Sequence, residues 1–530
     1  MSVISSSWPL NRLPAHATSL RIPRLSRGPR PWADLYRLGA DGLRQWFRDP
    51  RQQLDATNQP GANGGRFGFF SDIYYDPTLN QWWALSDRGP GGGLIAYDTR
   101  LSRFEINVHP ITGEISQFRV IKTIKFTDPN NLLVGLDPHL NGLNPLDLNG
   151  SPSVLGHSFD PEGLVIDPNT GEFIVADEYG PSVYVFDREG RLQRIFDVPE
   201  NLIPFVGSTV NYVALRDACG ADVPVPLCGA NGGRQDNRGY EGIAVSPDGK
   251  TLYAVLQDPL IDETGVGTNN GRNSRNVRIV VYDNDHSSPS YGTSLKQLVY
   301  QLEPQAAVAA RINAVTPGNA NATDPRQGRN IGVSSIVAIN DVEFLVLERD
   351  NRGIGVDDPA GARTVGSKRV FKINITNATD VTDKVLGLDA LPAGTVAVTK
   401  TLAVFLDLQL NTSLPNGKQA EKWEGLTIGP RLKNGDLMLL TGNDNDYSVT
   451  QTGAGEQFDV YVDFKGNFAK CVLDSQTECK VNPAADDPIT QNLVPLPSGY
   501  QLLPGVLHAF RTSALSGYVE PNRHTGNQED

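Results

Sequence analysis

The sequence is poor in sulfur and has no long apolar run. Only 4 cysteines and 2 methionines occur in 530 residues. The cysteines fall into two local pairs, Cys219 with Cys228 and Cys471 with Cys479, and neither pair has the C-x2-C spacing of a zinc site. No apolar stretch approaches the ~18 residues that a membrane-spanning helix requires. There is no G-x-S-x-G nucleophile elbow and no G-x-x-x-x-G-K-[ST] phosphate loop. The 7 histidines are scattered, and none pairs with another at metal-ligand spacing. Positive charge is also short: 47 Lys and Arg stand against 60 Asp and Glu, a formal charge of −13. That balance argues against nucleic acid or an anionic membrane as a partner and suits a protein that concentrates cations. The first 32 residues are basic and Ser-rich but lack an apolar h-region, so no signal peptide is visible in this chain.

The cysteine pairs sit in polar, loop-like stretches. Two small disulfide loops are the expectation, and with them an oxidising, extracytoplasmic compartment. The alternative is four unpaired surface thiols.

Turn formers are plentiful, with 53 Gly and 37 Pro, which suits a turn-dense β architecture. Five stretches resemble one another: FSDIYYDPTLNQWWALSDRG (70–89), FDPEGLVIDPNTGEFIVADEYGP (159–181), YEGIAVSPDGKTLYAVLQD (240–258), SSIVAINDVEFLVLERDNRG (334–353) and WEGLTIGPRLKNGDLMLLTGNDND (423–446). Each reads as a short Ser- or Glu-led step, an apolar strand, a turn, a second apolar strand and a polar or acidic exit. Aligning Ser71, Glu162, Glu241, Ser334 and Glu424 gives intervals of 91, 79, 93 and 90 residues. A bare four-stranded blade needs about 40–50 residues, so each unit carries a long insertion. Further strands are expected within each unit: GLIAYD and FRVIKTIKF, SVYVFD and LQRIFDV, VRIVVYD and LKQLVYQLE, RVFKINI and TLAVFLDLQL, FDVYVDF and GVLHAFRT.

The expected fold is therefore an all-β propeller with five countable four-stranded blades, five or six in total. Residues 1–62 read as an N-terminal extension with an amphipathic helix candidate at 32–49, residues 63–515 as the propeller, and residues 516–530 as a tail. In an antiparallel hairpin the start of the first strand lies beside the end of the second. Acids that bracket each hairpin would then meet at one edge, and radial blades would bring those edges to one channel mouth. The expected ring holds Asp72 and Asp87, Glu162 with Asp177 and Glu178, Glu241 with Asp258, Glu348 with Asp350, and Glu424 with Asp444 and Asp446. Massed carboxylates repel, and a hard cation such as Ca2+, bound by carboxylate and carbonyl oxygens, relieves the repulsion. Arginines recur beside the acids, and an arginine-carboxylate mouth suits a small anionic ester. Strand caps and plain Arg–Asp pairs would use the same residues without any chemistry.

These motifs, from FSDIYYDP through NDND, resemble the phytase-like family known for "esterase-like activity of phytase", over roughly Gly65 to Thr512. The resemblance implies a β-propeller, usually exported, acting as a hydrolase on phosphate or carboxylic esters. It further implies distant kinship with calcium-dependent propeller phytases, whose channel-mouth acids hold calcium. Ser335 departs from the pattern, because the family commonly carries Asp after that Ser. The expected catalytic carboxylates are Glu162, Glu178 and Glu241. Arg88, Arg238 and Arg349 are the expected anion contacts, and Asp87, Asp177, Glu424, Asp444 and Asp446 the expected calcium ligands. The rival expectation is a non-catalytic propeller that binds a protein or polysaccharide, and a sugar-lactone hydrolase is a third.

Overall fold

The computed structural model describes residue 68 and residues 70–525, apart from residues 136, 214–231, 266–270, 319–330, 415, 453–455, 485–486 and 488. The cysteine pair Cys219–Cys228 and the helix candidate at 32–49 lie outside the described residues. Its regular structure is mostly antiparallel strand, with long loops and a few short helices, such as Gln305–Val315, between the strands.

Unit one is β1 (Asp72–Asp76), β2 (Gln81–Leu85), β3 (Arg100–Val108) and β4 (Ile115–Lys125), hydrogen-bonded in chain order. Unit two repeats this with β5 (Pro161–Ile166), β6 (Phe173–Asp177), β7 (Val183–Phe186) and β8 (Leu192–Ile195). A two-residue ribbon, β9 (Phe205–Val206) with β10 (Thr209–Val210), follows in the connecting loop. Unit three is β11 (Tyr240–Val245), β12 (Thr251–Leu256), β13 (Asn276–Asp283) and β14 (Ser294–Gln301). Unit four is β15 (Gly332–Ala338), β16 (Glu343–Arg349) and β17 (Lys368–Asn374), edged by two short pieces, β18 (Thr399–Lys400) and β19 (Leu406–Asp407).

Unit five departs from the expectation. Its strands β20 (Lys422–Arg431) and β21 (Leu437–Asp444) are followed by an inserted sheet, β22 (Val449–Thr452), β23 (Glu456–Val462), β24 (Phe468–Val472), β25 (Cys479–Val481) and β26 (Gln501–Leu502). Only then does β27 (Leu507–Thr512) return to pair with β21. FDVYVDF, expected as the third strand of this unit, belongs to the inserted sheet, and among the described residues the unit itself has three strands. Likewise GLIAYD is not a strand, and β3 begins just after it at Arg100. TLAVFLDLQL holds only β19 before the short helix Leu408–Asn411. An apolar run shows that burial is favourable, but neither that a strand forms nor which edge it joins. Cys471 and Cys479 face each other across β24 and β25 and form a disulfide.

The first strands of the units neighbour one another in an unbroken cycle: β1 lies beside β5, β5 beside β11, β11 beside β15, β15 beside β20, and β20 beside β1. Between them runs a narrow cavity of about 50 Å³, lined by Ile73, Val165, Ala244, Val337 and Thr427 among others. The core sits between sheets rather than within one. One cluster joins Trp83 and Leu85 of unit one to Phe173 and Tyr184 of unit two, and another joins Phe70 and Trp82 to Met438 and Leu440 of unit five. Burying such faces supplies the main drive for assembly, at about 25 cal/mol per Å² of apolar area.

Close packing of the first strands explains the repeated Glu-Gly step. A Cβ on Gly163 would stand 2.9 Å from Ile243 N, and one on Gly242 would stand 3.0 Å from Ile336 N. These glycines are required by close approach to the neighbouring strand.

Candidate functional site

The residue before each of these glycines has a special place in its ladder. In unit two the register slips between Pro161 and Gly163, leaving Glu162 unpaired. The same slip isolates Glu241 in unit three, Ser334 in unit four and Glu424 in unit five. A β-bulge leaves one residue out of the pairing and re-aims its side chain. The repeated Ser/Glu position is thus a repeated bulge, and three of the four bulged residues are glutamates.

At the same edge the second strands end. Asp177 lies opposite Pro161, and Asp444 opposite Lys422. Three groups of carboxylates bring ligand atoms within 4.8 Å of one another: Asp87, Asp444 and Asp446; Asp87, Asp160 and Glu162; Glu162, Glu178 and Glu241. Asp87 belongs to the first two and Glu162 to the last two, so the groups form one continuous arc across units five, one, two and three. Basic residues are interleaved. Arg88 Nη1 lies 3.2 Å from Asp160 Oδ2, and the Arg88 backbone N–H donates to Asp160 Oδ1 at 3.0 Å. Arg349 Nη2 reaches Glu241 Oε1 at 3.3 Å and also pairs with Glu424. Lys422 bridges Asp444, at 3.3 Å, and Asp446. Arg238 Nε sits 3.2 Å from Asp258 Oδ2.

Crowding and burial act together on these acids. Burial first, then the Asp160 charge, pushes Asp87 up to about 7, with Arg88 opposing. Asp160 rises to about 7 through burial, held back by Arg88 and raised further by Glu178. Burial and Glu241 lift Glu178 to about 7, and burial and Glu424 lift Glu241 to about 8. Burial raises Glu424 to about 8 against the pull of Arg349, and burial with Asp446 raises Asp444 to about 7. Glu162, pressed by burial and by Glu241, is displaced well above the ordinary carboxylate range. Every shift runs in the direction that a bound cation would reverse.

Glu178 is the most telling member. It is only 1% exposed, yet no N–H or hydroxyl among the described residues bonds either of its carboxylate oxygens, and its side-chain neighbour is the Asp160 carboxyl. Glu241 Oε2 is buried in the same condition, while its Oε1 accepts from Gln257 and Arg349. Buried carboxylate oxygens without donors are costly. A hard, oxygen-seeking cation fits such a donor set, and the absence of His and Cys from the arc disfavours softer metals.

The exit turn after β21 is held in an unusual shape. Asp446, Tyr447 and Ser448 have φ values of 47°, 56° and 60°, three successive left-handed residues. Side chains rarely accept this conformation, at a cost on the order of 1 kcal/mol each. Tyr447 fixes it: its buried ring meets Tyr97 edge-on at 5.1 Å, and its hydroxyl donates to Asp87 O at 3.4 Å. The turn that carries Asp446 is thereby tied to the loop that carries Asp87.

The pattern of a known family matches residues 65–447, described as "Phytase-like: Esterase-like activity of phytase". The chain belongs to this phytase-like family. It is 26% identical over 429 residues to an "Uncharacterized secreted protein" of Arthroderma benhamiae, covering 70% of this chain and 78% of that one. Among solved structures, the Kuenenia stuttgartiensis hydrazine synthase aligns with 81% of this chain and 97% of its own, at 12% identity and a TM-score of 0.25, a likeness too low to carry an argument.

Other residues expected in the ring from hairpin geometry are engaged elsewhere. Asp177 accepts three backbone N–H groups, from Asp160 and Tyr179 on Oδ1 at 3.0 and 3.1 Å and from Gly180 on Oδ2 at 2.8 Å. Asp72 accepts from Leu164 N at 2.8 Å and so couples β1 to β5. Its counterpart in unit four is Ser335, so the departure from the phytase-like pattern falls at a position that unit one uses to link strands. Glu348 is taken by Tyr300 and Lys400, and Asp350 by Lys368 at 3.1 Å. Two arc residues escaped the expected ring: Asp160, legible as an acid before the unit-two hairpin, and Lys422. Each lies within two residues of its bulged glutamate, so the signal was adjacency to the Glu-Gly step. Arg234 escaped as well: fully buried, it donates to Tyr179 O at 2.9 and 2.7 Å and holds the backbone just after Glu178.

Proposed function

We propose that this chain is a metal-assisted hydrolase of phosphate or other anionic esters, probing its substrate at the acidic mouth of a five-bladed β-propeller. The cyclic order of the five first strands supports the propeller reading, with the inserted sheet as an elaboration of unit five. The observation that carries the site is Glu178, a buried carboxylate that no N–H or hydroxyl among the described residues bonds, inside an arc of seven acids: Asp87, Asp160, Glu162, Glu178, Glu241, Asp444 and Asp446, with Glu424 joined to it through Arg349. Calcium is the cation that this all-oxygen set suits. When bound there it supplies Lewis-acid polarisation of an ester oxygen.

The remaining roles fall to the chain itself. Asp87 and Glu162, each shared by two groups, would join neighbouring ligand sets. Glu178 would serve both in the ligand set and as acceptor of the attacking water's proton, with Arg234 fixing the backbone beside it. Arg88 and Arg349 would exchange carboxylate partners for the ester's anionic oxygens, and Lys422 would hold Asp444 and Asp446 in place. Asp177 shapes the turn. The family's secreted relative and the Cys471–Cys479 disulfide support an extracytoplasmic setting.

Calorimetry with calcium on the wild type, Glu162→Gln and Glu241→Gln tests the metal half, and absence of binding by the wild type removes it. Activity on p-nitrophenyl phosphate, bis(p-nitrophenyl) phosphate, phytate and short-chain esters, with calcium and with chelator, tests the reaction. One observation favours the non-catalytic alternative: Arg88, Arg238 and Arg349 already pair with carboxylates. Calcium binding with no turnover of any ester would select that reading.

A further inference from the structure

The mouth opposite the acids is formed by the turns that join the first and second strands of the units, and the chain's own C-terminal segment crosses it. Starting at unit five, Glu520 lies 3.6 Å from Arg431. In unit four, Asn340 Nδ2 donates to Gly517 O at 3.0 Å and Val519 N–H donates to Ile339 O at 2.9 Å. In unit three, Asn522 N–H donates to Pro247 O at 2.7 Å. In unit two, Asn522 Nδ2 donates to Asn169 Oδ1 at 3.1 Å. In unit one, His524 Nε2 lies 3.0 Å from Asp76 Oδ2, with both side chains about 1% exposed. Eight residues thus touch all five units. Tyr518, Val519 and Pro521 also line the cavity between the first strands.

We propose that Gly517–His524 is a clasp, seated in the groove made by the five hairpin turns, that seals this end of the channel and fastens the ring. The ring needs such a fastening at one seam. Among the described residues each sheet draws its strands from its own stretch of chain, and none is exchanged between unit one and unit five. At that seam the backbone ties include Phe70 N–H to Asn443 O at 2.9 Å and Gly425 N–H to Phe70 O at 3.1 Å. The clasp adds a second tie, running from unit five to unit one across the other three. With this end sealed, ligands reach the channel only past the acids. The inference is independent of any reaction.

The test places a reporter inside the channel. Ala244→Cys, lining the cavity and 2% exposed, is labelled with a small maleimide in three settings. These are the otherwise unaltered chain, the full-length Asn522→Ala/His524→Ala variant, and a chain ending at Ser516. Labelling above the wild-type background should be slow in the first and about tenfold faster in the other two, because the protecting contact is opened. A synthetic peptide of residues 516–530 should return the shortened chain to the slow rate. Should the shortened chain not fold, the full-length double variant alone decides. A rate unchanged in that variant overturns the proposal, as does a raised rate in a folded shortened chain that the peptide fails to lower.

Discussion

Asp177 and Glu178 are consecutive acids at the end of one strand, and their surroundings give them opposite work. Asp177 spends its carboxylate on three backbone N–H groups. Asp177→Asn trades one accepting oxygen for an NH2 group, and the expected cost is about 1–3 kcal/mol of stability with calcium affinity retained. Chemical denaturation followed by calorimetry on the folded variant checks both halves. Glu178 receives no N–H or hydroxyl donor among the described residues, so Glu178→Gln removes a buried charge at little structural cost. Its expected signature is the reverse: equal or greater stability without calcium, and calcium affinity reduced at least about tenfold. A Glu178→Gln variant that binds calcium like the wild type would remove this residue from the ligand set.

At the scale of the strand, the Glu-Gly step carries two jobs that the sequence shows as one motif. The glutamate is the bulged residue and the glycine is the contact with the neighbouring first strand. Gly242→Ala would set a Cβ 3.0 Å from backbone atoms of Ser335 and Ile336, neither of which can swing aside. A loss of about 1–3 kcal/mol is expected, read as a lowered denaturation midpoint. Gly435→Ala, at a turn with nothing within 4 Å but with φ of 90°, tests backbone strain alone at a distant site. The hairpins and their acidic brackets were legible in the sequence because period-2 apolarity and turn residues are local signals. The bulge was not, since it depends on which residue of the partner strand each residue faces.

For the molecule as a whole, stability should depend on pH through two separate groups of acids. Asp87, Asp160, Glu178 and Asp444 have folded values of about 7, and Glu241 and Glu424 about 8, all above those of an unfolded chain. Without metal, the unfolded chain ionises first, so stability is greatest below about pH 4 for these groups and falls as pH rises toward 8. Saturating calcium should flatten this slope, and melting temperatures in chelator and in calcium between pH 5 and 8 measure it. Asp76 is the opposite case: burial raises it, but His524, Arg188 and the Thr78 N–H outweigh burial and hold it below its ordinary value. Its contribution is present above about pH 4 and is lost as pH falls further. His524→Ala should reduce that acid-side loss, with Arg188 and the Thr78 N–H retaining the remainder.

By itself the sequence determined the class of the fold, the five repeated hairpins and the chemistry of the donors, because turn residues, strand periodicity and carboxylate content act over short distances. Only the tertiary structure decided which acids meet. Asp160 and Lys422 join the arc while Asp72, Asp177 and Glu348 serve backbone and ion-pair partners, since a carboxylate's role depends on the donors that packing brings within hydrogen-bond reach. It also decided that FDVYVDF pairs within an inserted sheet rather than with β21, and that Gly517–His524 spans all five units, since both depend on which edges and faces remain to be covered once the hairpins have formed.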